Sequence, residues 1–197
     1  MAGAPVAGHT CGMENSTGRV REFRDTMGLF ATGVAVIAVQ ASDEVYAMTA
    51  NAVSSLSLEP MLLVFCPAKK ARLSKHLATG VAFSVNLLRA EQQAISSFFA
   101  GGWREALPPP YHFVHMGAAP RLEGCLASLL CSVRSIVDGG DHWLVIGEVL
   151  ELQRGSAPLE PLLFYRGRYG QIDASASGAA PDLGRVTDEP AHIHFDT

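Results

Sequence analysis

The chain has 197 residues, 48% of them apolar and 17% charged, with a formal net charge of −4. That composition supports one domain with a sizeable core and excludes an intrinsically disordered chain. The acidic balance, and the lack of any basic stripe interleaved with aromatics, gives no basis for nucleic-acid binding.

Residues 1–19 are rich in Gly, Ala, Thr and Ser, show no periodicity, and are expected to form a mobile N-terminal tail. No Lys or Arg precedes Arg19 and no continuous apolar run follows the start, so a secretory signal is not expected. No apolar run approaches the ~20 residues of a membrane span. A cytoplasmic protein without membrane contact is the expectation.

From Val20 the pattern turns helical. Val20, Phe23, Met27 and Phe30 recur at spacings that place them on one face, and Gly28 and Gly33 bracket the end. Val34–Val39 is a continuous β-branched and Ala run, as in a strand buried on both faces. A turn at Ala41–Glu44 leads to a strand over Val45–Thr49. Met61–Cys66 is a third strand. Ala68–Ala78 reads as a helix, with Ala71, Leu73, Leu77 and Ala78 apolar, closed by Gly80.

Val81–Leu87 alternates as a strand, and Ala90–Ala100 has the spacing of a helix. Gly101-Gly102-Trp103 and Pro108–Pro110 mark a long loop, suited to a lid or an interface arm. Leu126–Val137 and Trp143–Gln153 read as two long strands joined by the turn Asp138-Gly139-Gly140-Asp141. Leu162–Tyr165 and Arg168–Ile172 form a short hairpin across Arg166-Gly167. Residues 173–197 return to Ala, Ser, Gly and Pro and are expected to be a C-terminal tail, which leaves residues 20–172 as the domain.

Strands mostly follow strands, with about seven to nine of them and about three helices. This implies a mainly β antiparallel barrel of Greek-key type with flanking helices. There is no GxGxxG after a strand and no GxxxxGK[ST], so Rossmann and P-loop nucleotide sites are not expected. The four cysteines, Cys11, Cys66, Cys125 and Cys131, contain no CxxC pair. Free thiols in a reducing compartment are expected.

Four constellations carry possible chemistry. Met48–Pro60 is rich in small polar side chains between two apolar runs. Thr49-Ala50-Asn51 with Ser54 and Ser55 can form a polar turn, or can let backbone N–H groups approach a flat or anionic ligand. Lys69-Lys70-Ala71-Arg72 opens the expected helix after a strand; it is either a solvated basic patch or a phosphate site. Gly140-Asp141-His142 at a hairpin mouth is either a capped turn or a polar-ligand site. Tyr165 and Tyr169 can cover a planar ligand, or simply serve as strand residues. His112 with His115, and His192 with His194, lack Cys or carboxylate partners at ligand spacing, so no metal is expected. No GxSxG supports acyl transfer.

These pieces are colinear with a known pattern. It starts at Phe23-Arg24-Asp25-Thr26-Met27-Gly28 and runs through Phe30–Val34, Met48–Ala52 and Ser55–Pro60. It continues through Val85–Leu88, Gln92, Phe99–Gly101, Gly140–His142, Ile146–Val149 and Pro161–Tyr165. Over roughly Val20–Ile172 the chain resembles the short-chain flavin reductases, the reductase components of two-component flavin-dependent monooxygenases.

The resemblance implies a flavin-binding split β-barrel, a homodimer, and NAD(P)H-dependent reduction of FMN or FAD for a partner monooxygenase. It implies cofactor contacts from Met48, Thr49, Ala50, Asn51, Ala52, Val53, Ser54, Ser55, Cys66, Lys70, Ala71, Arg72, Asn86, Phe99, Ala100 and Gly101. It places Asp141, His142 and Tyr169 on the NADH or NADPH side, with His142 positioning the nicotinamide. Ala71 and Leu73 stand where many members carry hydroxyls, so the expected phosphate grip comes from backbone amides with Lys70 and Arg72. Two other functions share such a barrel: a flavin oxidase of the pyridoxamine-phosphate-oxidase type, and a non-catalytic flavin- or haem-binding module.

Overall fold

Residues 15–156 and 160–172 are described by a computed structural model, and they form twelve strands, two α-helices and two short 3-10 turns. Cys11, His192, His194 and most of the two expected tails lie outside the described residues. The helix α1 spans Asn15–Met27, starting five residues before the periodicity becomes visible. Then come β1 (Thr32–Gly33), β2 (Ala35–Ala41), β3 (Glu44–Ala50), β4 (Val53–Leu58), β5 (Met61–Phe65) and β6 (Ala82–Leu87). The helix α2 is Gln93–Phe99, preceded by a 3-10 turn at Ala90–Gln92. The remaining strands are β7 (Phe113–Met116), β8 (Ala119–Leu122), β9 (Ala127–Gly139), β10 (His142–Arg154), β11 (Leu163–Tyr165) and β12 (Arg168–Gly170).

Every strand pairing is antiparallel. One sheet runs β3-β2-β6-β9-β10-β5-β4, and smaller sheets are β1-β11-β12 and β7-β8. The mainly β, antiparallel fold class expected from the sequence is what the chain adopts. The large sheet curls on itself. β5 and β6 are separated by β9 and β10, so in a flat sheet they would lie about 14 Å apart. Instead the Phe65 and Phe83 rings sit 5.2 Å apart, centroid to centroid. Ile37, Val39, Phe65, Phe83, Val85, Val133 and Val145 fill the interior so formed. Each such side chain contributes roughly 1.5–3 kcal/mol by leaving water. Gly147 makes room for this stack, since a Cβ there would lie 2.5 Å from Phe83 Cζ.

Three expectations change. Val53–Leu58 lies in the stretch read as a polar turn or ligand loop, but it is an edge strand paired with β5. Its small hydroxyl residues, Ser54, Ser55 and Ser57, lie along an extended ribbon with a bulge between Ser55 and Ser57. The helix expected over Ala68–Ala78 does not form. Only Leu73–His76 winds up, as a 3-10 turn. Leu73 and Leu77 reach the core, and Leu77 is already extended, turning the chain toward Gly80, whose N–H bonds the Val133 carbonyl. Two anchors cannot offset the cost of a longer helix when the chain must re-enter the sheet. Finally, the Pro-rich loop ends in an unforeseen hairpin, β7–β8.

That hairpin explains the sequence of β6. Phe83 and Val85 face the main core, while Ser84 and Asn86 face β8 and are fully buried. Ser84 Oγ donates to the Pro120 carbonyl. Asn86 Nδ2 donates to the Val36 carbonyl at 3.0 Å and to Ser84 Oγ at 2.8 Å. Its Oδ1 accepts from the Leu122 N–H at 3.0 Å and from Ser128 Oγ at 2.9 Å. All four hydrogen-bonding positions of this amide are therefore used inside the fold.

Candidate active site

The bend at Asn51-Ala52 joins β3 to β4, which are the two opposite edges of the curled sheet. The outer backbone rows of both edge strands thus converge on this corner without a pairing strand among the described residues. The corner opens into a cavity of about 1350 Å³. One wall is α1 with the segment after it, including Phe23, Met27, Phe30, Thr32 and Gly33. A second is Ala50, Asn51, Ala52, Val53 and Ser54, backed by Val64 and Cys66. A third is Leu162, Phe164, Arg166 and Gly167 from the β11–β12 hairpin. Arg166 and Gly167 both have positive φ (49° and 76°), the two-residue turn that matches strand twist. The Arg166 N–H bonds the Gly28 carbonyl at 2.8 Å and so ties this hairpin to the end of α1.

Of the residues expected at the cofactor, Ala50, Asn51, Ala52, Val53, Ser54 and Cys66 line the cavity. Ser55 is the next residue of the same edge strand. Met48 packs against the main core. Thr49 points to the other side of β3 and donates from Oγ1 to the Ser96 carbonyl at 2.7 Å. Ser96 Oγ in turn meets the Tyr169 hydroxyl at 2.9 Å. Tyr169 packs on Phe164, ring centroids 5.5 Å apart, so it stands one layer behind the cavity wall. Phe99 lies in an aromatic cluster with Tyr111 and Phe113, and Ala100 and Gly101 close the end of α2 beside it.

The other two constellations meet each other. Ala68 bridges to His142, the Lys69 N–H bonds the Asp141 carbonyl at 2.9 Å, and the Trp143 N–H bonds the Pro67 carbonyl at 2.9 Å. The segment after cavity-lining Cys66 is thereby sewn to the β9–β10 turn. Lys70 and Arg72 are exposed, and their N–H groups donate to no backbone acceptor among the described residues. With a 3-10 turn in place of a helix, little macrodipole acts here, so an anion at this segment would be held by side-chain charge and free amides. Asp141 Oδ1 lies 2.7 Å from His142 Nδ1. That hydrogen bond, the imidazole charge and Lys70 hold the Asp141 carboxyl below its usual range.

The residues fit a flat, largely apolar ring system with a polar rim. Val34, Leu88, Val53 and Phe164 offer apolar wall, and Asn51, Ser54 and Arg166 offer donors. Thr32 Oγ1, also at the cavity, is a buried oxygen without a hydrogen-bond partner among the described residues. Sequence reasoning overlooked Thr32, Arg24 and Arg166 as site residues. The signal was present, because each lies in or beside a block that carries the resemblance.

A match to the flavin reductase like domain covers residues 27–173. The chain belongs to the flavin reductase family. Among its family relatives is the reductase subunit HsaB of a flavin-dependent monooxygenase from Rhodococcus jostii (strain RHA1). It is 36% identical over 167 residues, covering 82% of each chain. The reductase component of 4-hydroxyphenylacetate 3-monooxygenase from Thermus thermophilus is 36% identical over 150 residues, covering 76% of this chain and 95% of that one. In structure, flavin reductase PheA2 in its native state superposes with a TM-score of 0.72 at 37% identity, over 78% of this chain and 97% of that chain. The Streptomyces globisporus C-1027 NADH:FAD oxidoreductase SgcE6, in complex with NAD and FAD fragments, gives 0.71 at 32% identity, over 84% and 99%.

The cavity of this family member can be probed through its thiols. Burial pushes the Cys125 thiol up to about 11 and the Cys131 thiol up to about 12. At pH 8 the Cys131 thiolate is then about one part in ten thousand. Cys66 is only half-buried, though burial raises its thiol too. Peptide mapping after iodoacetamide at pH 8 should find Cys66 labelled and Cys125 and Cys131 intact. Adding FMN or FAD should slow labelling of Cys66. Unchanged labelling at saturating flavin would place the flavin elsewhere.

Proposed function

We propose that the chain is an NADH- or NADPH-dependent flavin reductase that delivers reduced FMN or FAD to a separate monooxygenase. The observation that carries this reading is the join between three elements. The Asn51–Ser54 corner, the Lys70–Arg72 segment and the Asp141–His142 turn are linked through Cys66 and the Ala68–His142 bridge. When bound, the flavin supplies the N5 atom that accepts a hydride from the reduced nicotinamide.

The protein's own part is binding and orientation. The apolar walls around Val34, Val53 and Phe164 exclude water and hold the ring plane. Backbone N–H groups at the Asn51-Ala52 bend orient its polar edge, and Lys70 and Arg72 hold the phosphate. Asp141 fixes the orientation of the His142 imidazole on the nicotinamide side, which serves proximity more than proton transfer. Tyr169, held by Ser96, backs the Phe164 wall from behind. The relatives named as monooxygenase reductase subunits support a diffusible product and a separate oxygenase partner.

The homodimer expected from the resemblance is part of this reading. Val20, Phe23, Met27 and Phe30 on and after α1 are more than half exposed, as are Leu58, Leu150 and Leu152 on the sheet. Exposed apolar side chains of this number support an interface with a second copy. Sedimentation should give twice the 20.9 kDa of one chain, and a monomer at micromolar concentration would remove the dimer from the proposal.

Loss of reduced-nicotinamide absorbance, followed with FMN, FAD and riboflavin in turn, tests the activity. Oxidation that depends on added flavin supports it. Tightly retained flavin that consumes oxygen with another substrate would indicate the oxidase reading, and cofactor absorbance without turnover the non-catalytic one. In the same assay, His142→Ala should lower kcat/KM for NADH or NADPH by about 10- to 100-fold. Flavin affinity should change little. Weakened flavin binding with intact turnover of bound flavin would refute the role given to His142.

A further inference from the structure

The β9–β10 turn that carries His142 is short and solvent-exposed, and Gly140 within it has a φ of +82°. Asp138, Gly139, Gly140 and Asp141 are all exposed, so polar contacts weigh heavily in fixing the turn, while Trp143 beside it packs against the core. Its backbone is held to the neighbouring segment by the Ala68–His142 bridge and by the Lys69–Asp141 and Trp143–Pro67 hydrogen bonds, and one side chain from that segment adds a further tie. Lys69 Nζ donates to Asp138 Oδ2 and lies 4.4 Å from the centroid of the Trp143 ring. The other oxygen of the same carboxylate, Asp138 Oδ1, accepts from the Gly140 N–H at 3.0 Å. Both partners draw the Asp138 carboxyl below its usual range, the Lys69 hydrogen bond most strongly. One carboxylate therefore caps the turn and receives the lysine at once.

Asp138 and Trp143 flank the turn on its two strands and pair directly across it. Lys69 touches both, so its ammonium closes the turn from outside. Its backbone N–H simultaneously bonds the Asp141 carbonyl. Lys70 follows immediately, and Arg72 two residues later. Lys69 is thus the joint between the segment read as the phosphate grip and the turn read as the nicotinamide side. Its side-chain cation is engaged with Asp138 and Trp143, unlike the exposed Lys70.

We propose that Lys69 is a positioning residue that, through Asp138, sets the distance between His142 and the Lys70–Arg72 segment. The proposal rests on the reading of His142 given above. Lys69 itself touches neither flavin nor nicotinamide. It acts by confining the turn, so its loss weakens nicotinamide docking before it weakens flavin binding.

Lys69→Met keeps the aliphatic stem on Trp143 and removes the charge. Asp138→Asn keeps an acceptor for the Gly140 N–H and removes the ion pair. Lys69→Arg restores the cation. Amide hydrogen exchange in flavin-free protein, together with steady-state kinetics, tests the set. Lys69→Met and Asp138→Asn should each speed exchange at the Gly140 and Trp143 amides about tenfold, leaving Val36 and Phe83 protected. Both should raise KM for NADH or NADPH by about five- to tenfold, with kcat and flavin affinity near wild type. Lys69→Arg should recover most of both effects.

Unchanged exchange in the two variants overturns the proposal whatever the role of His142. Faster exchange with an unmoved KM also overturns it, and His142→Ala then separates the cases. If that variant lowers turnover, the nicotinamide reading stands and Lys69 is only structural. If it is silent, the nicotinamide reading has itself failed.

Discussion

Asn86→Ala should destabilise the protein by about 3–5 kcal/mol and lower Tm by roughly 10–15 °C. The reason lies in what the amide leaves behind. The side chain is fully buried and satisfies the Val36 carbonyl, the Leu122 N–H and the Ser84 and Ser128 hydroxyls. Ser84 keeps its bond to the Pro120 carbonyl, but the Leu122 N–H has no replacement acceptor. Each stranded buried group costs about 1–3 kcal/mol, and the vacated volume adds to that. Against a typical total stability of about 5–15 kcal/mol, the loss is large. Asn86→Asp should not rescue it, because its second oxygen would face the Val36 carbonyl and a charge would be buried. The resemblance implies a cofactor role for Asn86, and the same variant tests it. Thermal denaturation without flavin should already show the full loss. A normal Tm combined with weakened flavin binding would assign Asn86 to the cofactor instead.

Neutralising both cations of the phosphate segment, as Lys70→Gln with Arg72→Gln, should raise the FMN dissociation constant by roughly 30- to 700-fold. That corresponds to about 2–4 kcal/mol for two charge-assisted contacts discounted for exposure. Riboflavin, which has no phosphate, should bind the variant as it binds the wild type. Added salt should weaken FMN binding to wild type more than to the variant, because exposed pairs are screened. The structure raises the weight on these two side chains, since the missing helix removes most of the macrodipole that a sequence reading invokes. Arg72 also lies 5.6 Å from the Tyr46 ring centroid, so its loss costs packing as well as charge. Equal weakening of FMN and riboflavin would show that packing, not phosphate recognition, is the role of the pair.

The buried strand over Val34–Val39 and the long β9–β10 hairpin were legible, because β-branched runs and alternation report burial directly. The Arg166-Gly167 turn was legible too, because Gly punctuates the chain. Asn86 was read from its motif as a cofactor residue. Its alternation with Val85 and Leu87 says only that it leaves the main core, not that β8 comes to meet it. The β7–β8 hairpin escaped notice because its strands are four residues each and one contains Pro120. Ser54 and Ser55 suggested a turn by composition, yet pairing with β5 makes their segment a strand. At Ala68–Ala78 local helix propensity lost to the need to bury Leu73 and return to β6.

From the sequence alone come the antiparallel β class, the family, and the three chemical stretches at Asn51, Lys70 and His142. These follow from local periodicity and colinear motifs, which depend only on neighbours along the chain. The tertiary structure decides how those stretches meet. Curling the sheet brings its edge strands β3 and β4 to one corner, and the Pro67–Lys69 crossing sets the basic segment against the hairpin turn. Such contacts join residues some seventy positions apart, and no pattern within a single strand or turn encodes them. Their formation depends on packing the interior between Phe65 and Phe83, which is a property of the closed sheet and not of any one element.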